Sequence, residues 1–191
     1  MEFITVGEMV IDFLPGSEPG SYIRNAGGAP ANVAIAAARN GLNAGMYCKV
    51  GNDDFGKFLI KTLEENKVTP LSPELCDEAT TTMAFVSLTE DNERSFTFAR
   101  KPGADMMLDK AEIKDEDLKD CKILLAGSCS MSAGKAVEAT EYAMKRAHEL
   151  GALVGYDINY RNLMWHDDKQ ACADKVKEIL PYVDLLKISD E

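Results

Sequence analysis

The sequence predicts an α/β protein built on a mainly parallel sheet that is covered by helices. In the second half of the chain, apolar strand-like segments recur at residues 123–126, 152–156 and 183–188. Helical patterns at residues 132–150 and 168–180 separate them. Strands that recur at roughly 30 residues with a helix between them are typical of βαβ units, in which a crossover helix joins two parallel strands.

The N-terminal half predicts the same alternation, beginning with a strand over residues 3–13 that carries Glu8 and Asp12. Residues 25–32 then read Asn-Ala-Gly-Gly-Ala-Pro-Ala-Asn, and a mostly alanine segment follows. Adjacent glycines permit positive φ, proline suits the first helical position and alanine favours helix, so a glycine turn that opens a helix is predicted. The backbone N–H groups of such a turn can receive an anion or sugar hydroxyls, and the side chain of Asn32 would point the same way.

A further βα unit is predicted in the middle of the chain. Residues 44–50 form a strand-like segment, and a Gly-Asn-Asp-Asp turn follows it. Asp53 or Asp54 can cap the helix that is predicted over residues 55–65, because a carboxylate at this position accepts the free N–H groups of the first turn.

A β-hairpin is predicted around the polar turn at residues 90–93. In its second strand, small residues alternate with Phe96 and Phe98, the period-2 pattern of a strand with one exposed face. Because a hairpin interrupts the βα alternation, we expect it to leave the main sheet. Together with an early segment it would form a small second sheet, a lid, from residues of about 12–24 and 82–100.

Composition and charge exclude several functional classes. The net charge of −11 disfavours a nucleic-acid partner, because basic patches supply most of the affinity for a phosphate backbone. No apolar run approaches the ~20 residues of a membrane span, and no signal peptide is predicted. Five cysteines without a Cys-x-x-Cys pair indicate reduced thiols and a cytoplasmic location. His148 and His166 have no second ligand at i+4, so no metal site is predicted from protein side chains alone.

Polar residues follow the ends of the later strands. Gly127 and Ser128 come after one strand, residues 157–161 after the next, and residues 189–191 after the last. Ligands of open α/β sheets bind outside the carboxyl ends of the strands. The sequence therefore predicts a ligand site at this edge of the sheet.

Three motifs, in the right order, resemble those of the PfkB (ribokinase-like) carbohydrate kinases. The first is an N-terminal signature in two parts, Gly-Gly-Ala-Pro-Ala-Asn-Val-Ala at residues 27–34 and Gly-Asn-Asp-Asp-Phe-Gly at residues 51–56. Residues 93–105 resemble the fructokinase branch in particular, and Asp-Ile-Asn-Tyr-Arg at 157–161 is similar to the family's Asp-x-Asn-x-Arg element. The resemblance runs along the whole chain. It implies a three-layer α/β/α core with a small β lid, and transfer of the ATP γ-phosphoryl group to a sugar hydroxyl with Mg²⁺.

The resemblance also assigns roles to ten residues on two sides of one site. Those that would bind the sugar are Asp12, Gly27, Gly28 and Asn32, with Phe98 and Arg100 reaching down from the lid. Those on the phosphate and nucleotide side are Asp157, Asn159, Arg161 and Lys187, with Arg161 supporting the transition state.

Structural roles for several of these residues remain open at this point. Asp12 can cap a turn, Phe98 can pack within the hairpin, Arg100 can be a solvated charge at a strand end, and Arg161 can pair with a neighbouring aspartate.

The catalytic base of the family has no counterpart in the sequence. The Gly-Ala-Gly-Asp element that carries it is not present, and the Asn-x-x-Glu element that organises Mg²⁺ would begin at Ser189 with its glutamate beyond Glu191. We therefore expect the N-terminal portion, residues 1–191, of one ribokinase-like domain, inactive by itself. Its expected ligands are a sugar, ATP and Mg²⁺, with a monovalent cation as a further candidate, and a homodimer through the lid is expected.

The acceptor sugar and the functional class each have alternatives. Fructose is the first expected acceptor, because residues 94–105 resemble the fructokinase branch. 2-Keto-3-deoxygluconate and the sugars of ribokinase-type kinases are the alternative acceptors. A non-catalytic sugar-binding module is the alternative from another class. A nicotinamide-dependent dehydrogenase is disfavoured, because no Gly-x-Gly-x-x-Gly follows the first strand.

Overall fold

Residues 1–88 and 94–188 are described by the structure, a computed structural model. The predicted turn at residues 90–93 and the polar residues 189–191 lie outside the described residues. In chain order the strands are β1 (Phe3–Val6), β2 (Val10–Pro15), β3 (Tyr22–Gly27), β4 (Ala44–Tyr47), β5 (Val68–Pro70), β6 (Met83–Leu88), β7 (Arg94–Ala99), β8 (Ile123–Gly127), β9 (Leu153–Asp157) and β10 (Leu185–Lys187). The α-helices are α1 (Ala29–Arg39), α2 (Asp54–Glu65), α3 (Asp115–Leu118), α4 (Ala136–Glu149) and α5 (Lys169–Ile179).

The main sheet has six strands in the order β10-β9-β8-β1-β4-β5, and every neighbouring pair is parallel. From β1 the chain moves outward to β5 and then returns to the other side of β1 at β8. This reversal creates a topological switch point between β1 and β8, where loops diverge and leave a crevice at the carboxyl ends of the strands.

Side chains pack on both faces of the main sheet. Ile4 and Val6 enter one core together with residues of α4 and α5, whereas Phe3 enters the other core with residues of α1 and α2. This division follows from the strand geometry, in which successive side chains point to opposite faces. The predicted three-layer α/β/α architecture is therefore confirmed.

The prediction of one strand over residues 3–13 is wrong, because the chain turns at Gly7 and passes from one sheet to the other. Gly7 has a φ of +154°, and a Cβ there would lie 2.6 Å from Cγ of Pro30. The prediction of a helix from residue 132 is also wrong, because a 3₁₀ turn at Ser128–Met131 and Gly134 at φ +77° precede α4. The short edge strand β5 lacks a strong sequence pattern and was not predicted.

The hairpin β6–β7 leaves the main sheet, as predicted, and forms a second sheet in the order β3-β2-β6-β7. One face of this small sheet packs against α2. There, Phe13 stacks on Phe85 with ring centroids 4.9 Å apart and meets Phe55 edge-on at 5.7 Å. Arg24 lies over the ring of Phe58, 3.9 Å from its centroid.

The opposite face of the small sheet turns towards the main sheet's carboxyl edge. The strand registers align Asn25, Asp12, Ala84 and Phe98 in one row across the four strands. Because directly paired residues project to the same face, Asp12 and Phe98 share this face. Within residues 1–88 and 94–188, the helices lack the combination of length and apolar character that a membrane span requires.

Candidate active site at the carboxyl edge of the main sheet

A crevice lies at the topological switch point. Its lining comes from the segment after β1, the start of α1, the end of β8 and the residues after β9, namely Glu8, Ala29, Pro30, Val33, Leu125, Ala126, Gly127, Cys129, Asp157 and Asn159. Two predicted site residues, Asp157 and Asn159, are thus brought to the start of the helix that the glycine turn opens. The crevice lies at the edge of the sheet where the sequence predicts a ligand site.

The glycine turn is held in contact with two neighbouring segments. Gly28 precedes α1 at φ +109° and ψ +123°, and a Cβ there would lie 2.4 Å from the carbonyl oxygen of Glu8. A Cβ on Gly27 would lie 2.1 Å from Oδ2 of Asp12. Gly28 therefore requires glycine, because it combines a positive φ with a backbone contact, whereas a side chain at Gly27 would displace the carboxylate of Asp12. The helix begins directly after the turn, with Pro30 in its first positions.

Asp12 and Asn32 border this turn from two sides. Asp12 lies on β2 opposite Asn25, half-buried, and its burial raises the pKa of its carboxyl group. Asn32 stands in the first turn of α1, where its side chain is exposed and its backbone N–H donates to the carbonyl oxygen of Gly28 at 3.0 Å. The arrangement leaves a carboxylate and an amide beside a glycine turn, a set that can bind hydroxyl groups.

Phe98 and Arg100 occupy different environments, although both belong to the hairpin. Phe98 is half-buried, lies on the same face as Asp12 and contacts the main core. Arg100 follows β7 and is buried, with a side chain only 8% exposed. Its Nε donates to Oδ2 of Asp105 at 2.8 Å, and its Nη1 donates to Oγ of Ser132 at 3.3 Å. The alternative of a solvated charge at a strand end is therefore wrong for Arg100.

Residues 80–82 and 100–105 connect the small sheet to the main body, and we call them the hinge. Two aspartates accept hydrogen bonds from this hinge. The buried Asp105 accepts hydrogen bonds from Arg100 and from the hydroxyl of Thr82, and the N–H of Ala104 donates to the carbonyl oxygen of Thr80 at 2.8 Å. Asp53 caps α2 through the N–H of Gly56, as predicted.

Asp53 also accepts two hydrogen bonds from the hinge, from the N–H and the hydroxyl of Thr81 at 2.8 and 2.7 Å. Burial acts to raise the pKa of Asp53, but these hydrogen bonds outweigh it and lower the pKa below its ordinary value. The Gly-Asn-Asp-Asp-Phe-Gly motif therefore acts structurally, by joining α2 to the hinge.

Asp157 and Asn159, at and after the end of β9, line the other side of the crevice. Asp157 ends β9, and its Oδ2 accepts a hydrogen bond from Nζ of Lys187 on the paired strand at 2.9 Å. Its Oδ1 is buried and has no hydrogen-bond partner among the described residues. Asn159 has a φ of +33°, a conformation that asparagine tolerates better than most residues. Arg161 is exposed, and its Nη1 donates to the carbonyl oxygen of Tyr160 at 3.1 Å.

Glu8 belongs to the crevice but received no role from its sequence. Its side chain is 4% exposed, and Oε1 accepts a hydrogen bond from the N–H of Ala29 at 3.2 Å. Burial raises the pKa of Glu8 to about 7, and the negative charge of Asp105 acts in the same direction. The signal that could have identified it is a charged residue inside an otherwise apolar strand segment that precedes the glycine turn.

The two sides of the crevice differ in chemistry. The Gly27–Gly28 turn directly before the lining residue Ala29 offers acceptors and donors suited to a polyol. On the β9–β10 side Asp157 and Asn159 line the crevice, Lys187 contacts Asp157, and the cation Arg161 follows Asn159 in the chain. The unpartnered Oδ1 of Asp157 is suited to accept hydrogen bonds from water bound to a hard cation such as Mg²⁺. A hydroxyl compound and a metal-bound phosphate can therefore meet at this edge.

Comparisons with known proteins agree with this chemistry. The model of the pfkB family carbohydrate kinases matches residues 2–191. Fructokinase-1 of Oryza sativa subsp. japonica is 39% identical over 193 residues, which cover 98% of this chain and 59% of that protein.

The solved structures show the same relationship. The crystal structure of fructokinase with bound ATP from Xylella fastidiosa superposes with a TM-score of 0.88 at 34% identity, over 97% of this chain and 60% of that one. Apo fructokinase from Vibrio cholerae O395 gives a TM-score of 0.84 at 30% identity, over 97% and 63% of the two chains. The chain thus spans about three fifths of the length of these relatives, and the resemblance drawn from the motifs is confirmed.

Proposed function

The chain belongs to the pfkB family of carbohydrate kinases, and from this we propose that it carries the acceptor side of an ATP-dependent sugar kinase. The observation that carries the proposal is the glycine turn wedged between the backbone of Glu8 and the carboxylate of Asp12. A sugar needs convergent donors and acceptors in a partly enclosed site. Asp12, Asn32 and the turn supply them, and Phe98 offers an apolar surface from the small sheet.

Fructose is the acceptor that we propose first. The relatives from rice, Xylella and Vibrio are all named fructokinases, and the match extends over nearly the whole of this chain. The competitors are 2-keto-3-deoxygluconate and the sugars of ribokinase-type enzymes. Arg100 does not separate these sugars. Its Nε and Nη1 are paired with Asp105 and Ser132, but its Nη2 is buried without a hydrogen-bond partner among the described residues and can still donate to a carboxylate.

The β9–β10 side of the crevice is proposed to face the phosphates. ATP supplies the phosphoryl group and Mg²⁺ neutralises its developing charge when both are bound. In this chain, Asp157 and Asn159 would hold the metal-bound water and the phosphate oxygens. Arg161 and Lys187 would offset the negative charge of the phosphates, and Arg161 would do so in the transition state. A monovalent cation is a further proposed cofactor, with no residue of this chain assigned to it.

The proposal separates acceptor binding from transfer. Because no Gly-Ala-Gly-Asp element occurs in the sequence, no catalytic base is assigned, and we expect the chain by itself to bind the sugar without phosphorylating it. The alternative function, a dedicated sugar-binding module, uses the same Gly27–Gly28 side without any need for the β9–β10 side.

Self-association and location complete the proposal. The face of the small sheet that carries Asp12 exposes Leu14, Ile23 and Phe96 at 42%, 57% and 44%, and we propose that a second copy covers these three residues in a homodimer and leaves Asp12 and Phe98 to the sugar. A cytoplasmic location is proposed because all five cysteines are unpaired and buried, as suits a reducing compartment.

Titration calorimetry with a panel of sugars tests the proposal. The purified chain is titrated with fructose, ribose, glucose and 2-keto-3-deoxygluconate, and a parallel assay follows ATP consumption with Mg²⁺. We expect saturable binding of fructose in preference to the others and no sugar-dependent ATP consumption. Tighter binding of another sugar would replace fructose as the acceptor, and turnover of ATP by this chain would contradict the separation of binding from transfer.

A further inference from the structure

We propose that Glu8 is a positioning residue that fixes the Gly27–Gly28 turn. The inference rests on the proposed function, because that turn is the one proposed to bind the acceptor. Glu8 lies at the point where the chain leaves β1 and turns towards β2.

Glu8 contacts the glycine turn with both its main chain and its side chain. Its carbonyl oxygen occupies the space in which a Cβ of Gly28 would stand, 2.4 Å away. Its Oε1 accepts the hydrogen bond of the Ala29 N–H, the first amide of α1. Pro30 follows and has no N–H, so this hydrogen bond sets the direction of the helix start next to the turn. The orientation of the proposed hydroxyl-binding groups therefore depends on Glu8.

Glu8 is also within electrostatic reach of the hinge. Burial raises the pKa of Glu8 to about 7, the negative charge of Asp105 acts in the same direction, and Arg100 opposes it. Arg100 and Asp105 form the buried ion pair that joins the hinge to Ser132.

The other oxygen of Glu8 has room for a proton. Oε2 is buried, and none of the described residues forms a hydrogen bond with it. The ionisable groups around Glu8 are Arg100 and Asp105 from the hinge, Cys129 from the 3₁₀ turn and Asp157 across the crevice. With the proton on Oε2, Oε1 still accepts from Ala29, and loss of the proton strengthens that hydrogen bond because the acceptor becomes charged.

The first test follows the amide proton of Ala29 by NMR between pH 5.5 and 8.5 in the 191-residue chain. We expect its chemical shift to titrate with a midpoint near pH 7 in the wild type and in the control E74Q, which changes an exposed glutamate. In E8Q, which keeps the shape and the Oε1 acceptor, the titration should vanish. In D105N the midpoint should fall, by about half a unit, because a negative neighbour is removed. A flat wild-type profile, or the same midpoint in E8Q, would overturn the proposal.

The second test measures fructose affinity in the same variants by calorimetry. We expect a change in Kd of about threefold or more between pH 6 and 8 in the wild type and E74Q, none in E8Q, and a loss of about tenfold in E8A at every pH. Circular dichroism shows whether E8A is folded. If E8A is unfolded, the pH dependence of the fructose Kd in E8Q decides the test. An unchanged Kd in a folded E8A would overturn the positioning role. If the wild type binds no fructose while Ala29 still titrates, the proposed acceptor is wrong but the role of Glu8 at the turn stands.

Discussion

The two sides of the crevice are built in different ways. On the proposed acceptor side, the Gly27–Gly28 turn is shaped by backbone contacts and by the buried Glu8, and the buried pair of Arg100 and Asp105 lies in the hinge of the small sheet. On the phosphate side, Arg161 and Lys187 are exposed side chains at the ends of β9 and β10. The acceptor side is thus part of the core, whereas the phosphate side is attached to its surface. Substitutions on the first should therefore cost folding as well as binding, and substitutions on the second should cost little stability.

The largest expected effect comes from Asp105. Removing its carboxylate in D105A leaves the guanidinium of Arg100 buried without its partner, so we expect a loss of about 3–5 kcal/mol in the free energy of unfolding. Chemical denaturation measures it. The control E74A, at an exposed position, should change stability by less than ~0.5 kcal/mol. If D105A loses less than about 1 kcal/mol of its free energy of unfolding, the hinge is not part of the core.

Gly28 gives the next largest effect. In G28A the new Cβ would meet the carbonyl oxygen of Glu8 at a positive φ, and we expect a loss of about 3 kcal/mol. The matched control is G41A. Gly41 also has a positive φ, but a Cβ there meets nothing within 4 Å, so only the backbone strain of about 1 kcal/mol should appear. Equal losses in the two variants would mean that the contact with Glu8 does not shape the turn.

Glu8 makes stability depend on pH. Its pKa is raised from 4.5 to about 7 in the folded chain, so the folded state retains a proton that the unfolded state has already lost. Stability should therefore fall as pH rises through this window, by about 2 kcal/mol between pH 5.5 and 7.5. Denaturation curves at several pH values measure the fall. E8Q lacks the titrating carboxyl group, so its stability should not show this fall between pH 5.5 and 7.5. An identical pH dependence of stability in E8Q and the wild type would mean that Glu8 is not the group responsible.

The smallest effects are expected on the phosphate side. R161M and K187M replace exposed side chains, and each should change the free energy of unfolding by less than ~1 kcal/mol, since exposed ion pairs contribute little. The same denaturation experiment measures both. A loss comparable to that of D105A would show that this side also belongs to the core, and the contrast between the two sides would disappear.

Much of the fold could be predicted from the sequence, because periodic patterns report directly on strands and helices. The parallel β8, β9 and β10 and the separate hairpin sheet follow from spacing and period. The break between β1 and β2 does not, since it depends on Gly7 at a φ of +154° beside Pro30. That contact exists only after α1 has packed on the sheet.

The site could be predicted in part. The motifs identify the glycine turn and Asp157–Asn159, and the structure brings Asp157 and Asn159 into one crevice with Ala29 and Pro30, the residues that follow the turn. The roles of Glu8 and Asp105 could not be read from the sequence, because a charged residue is exposed by default and its burial is a property of the tertiary structure. The burial of Arg100 could not be predicted for the same reason. Its side chain pairs with Asp105 inside the hinge, whereas the sequence alone also allows a solvated charge at a strand end.

Calorimetric titration of fructose into the wild type, D12N and D120N tests whether the Gly27–Gly28 turn binds the acceptor. Asp12 faces the glycine turn, whereas Asp120 is an exposed aspartate far along the chain and serves as the matched control. We expect one saturable site in the wild type and D120N, and an affinity at least about tenfold weaker in D12N, because the charged carboxylate that accepts a sugar hydroxyl is replaced by a neutral amide, a weaker acceptor. Equal affinity in D12N and D120N would contradict an acceptor site at the Gly27–Gly28 turn.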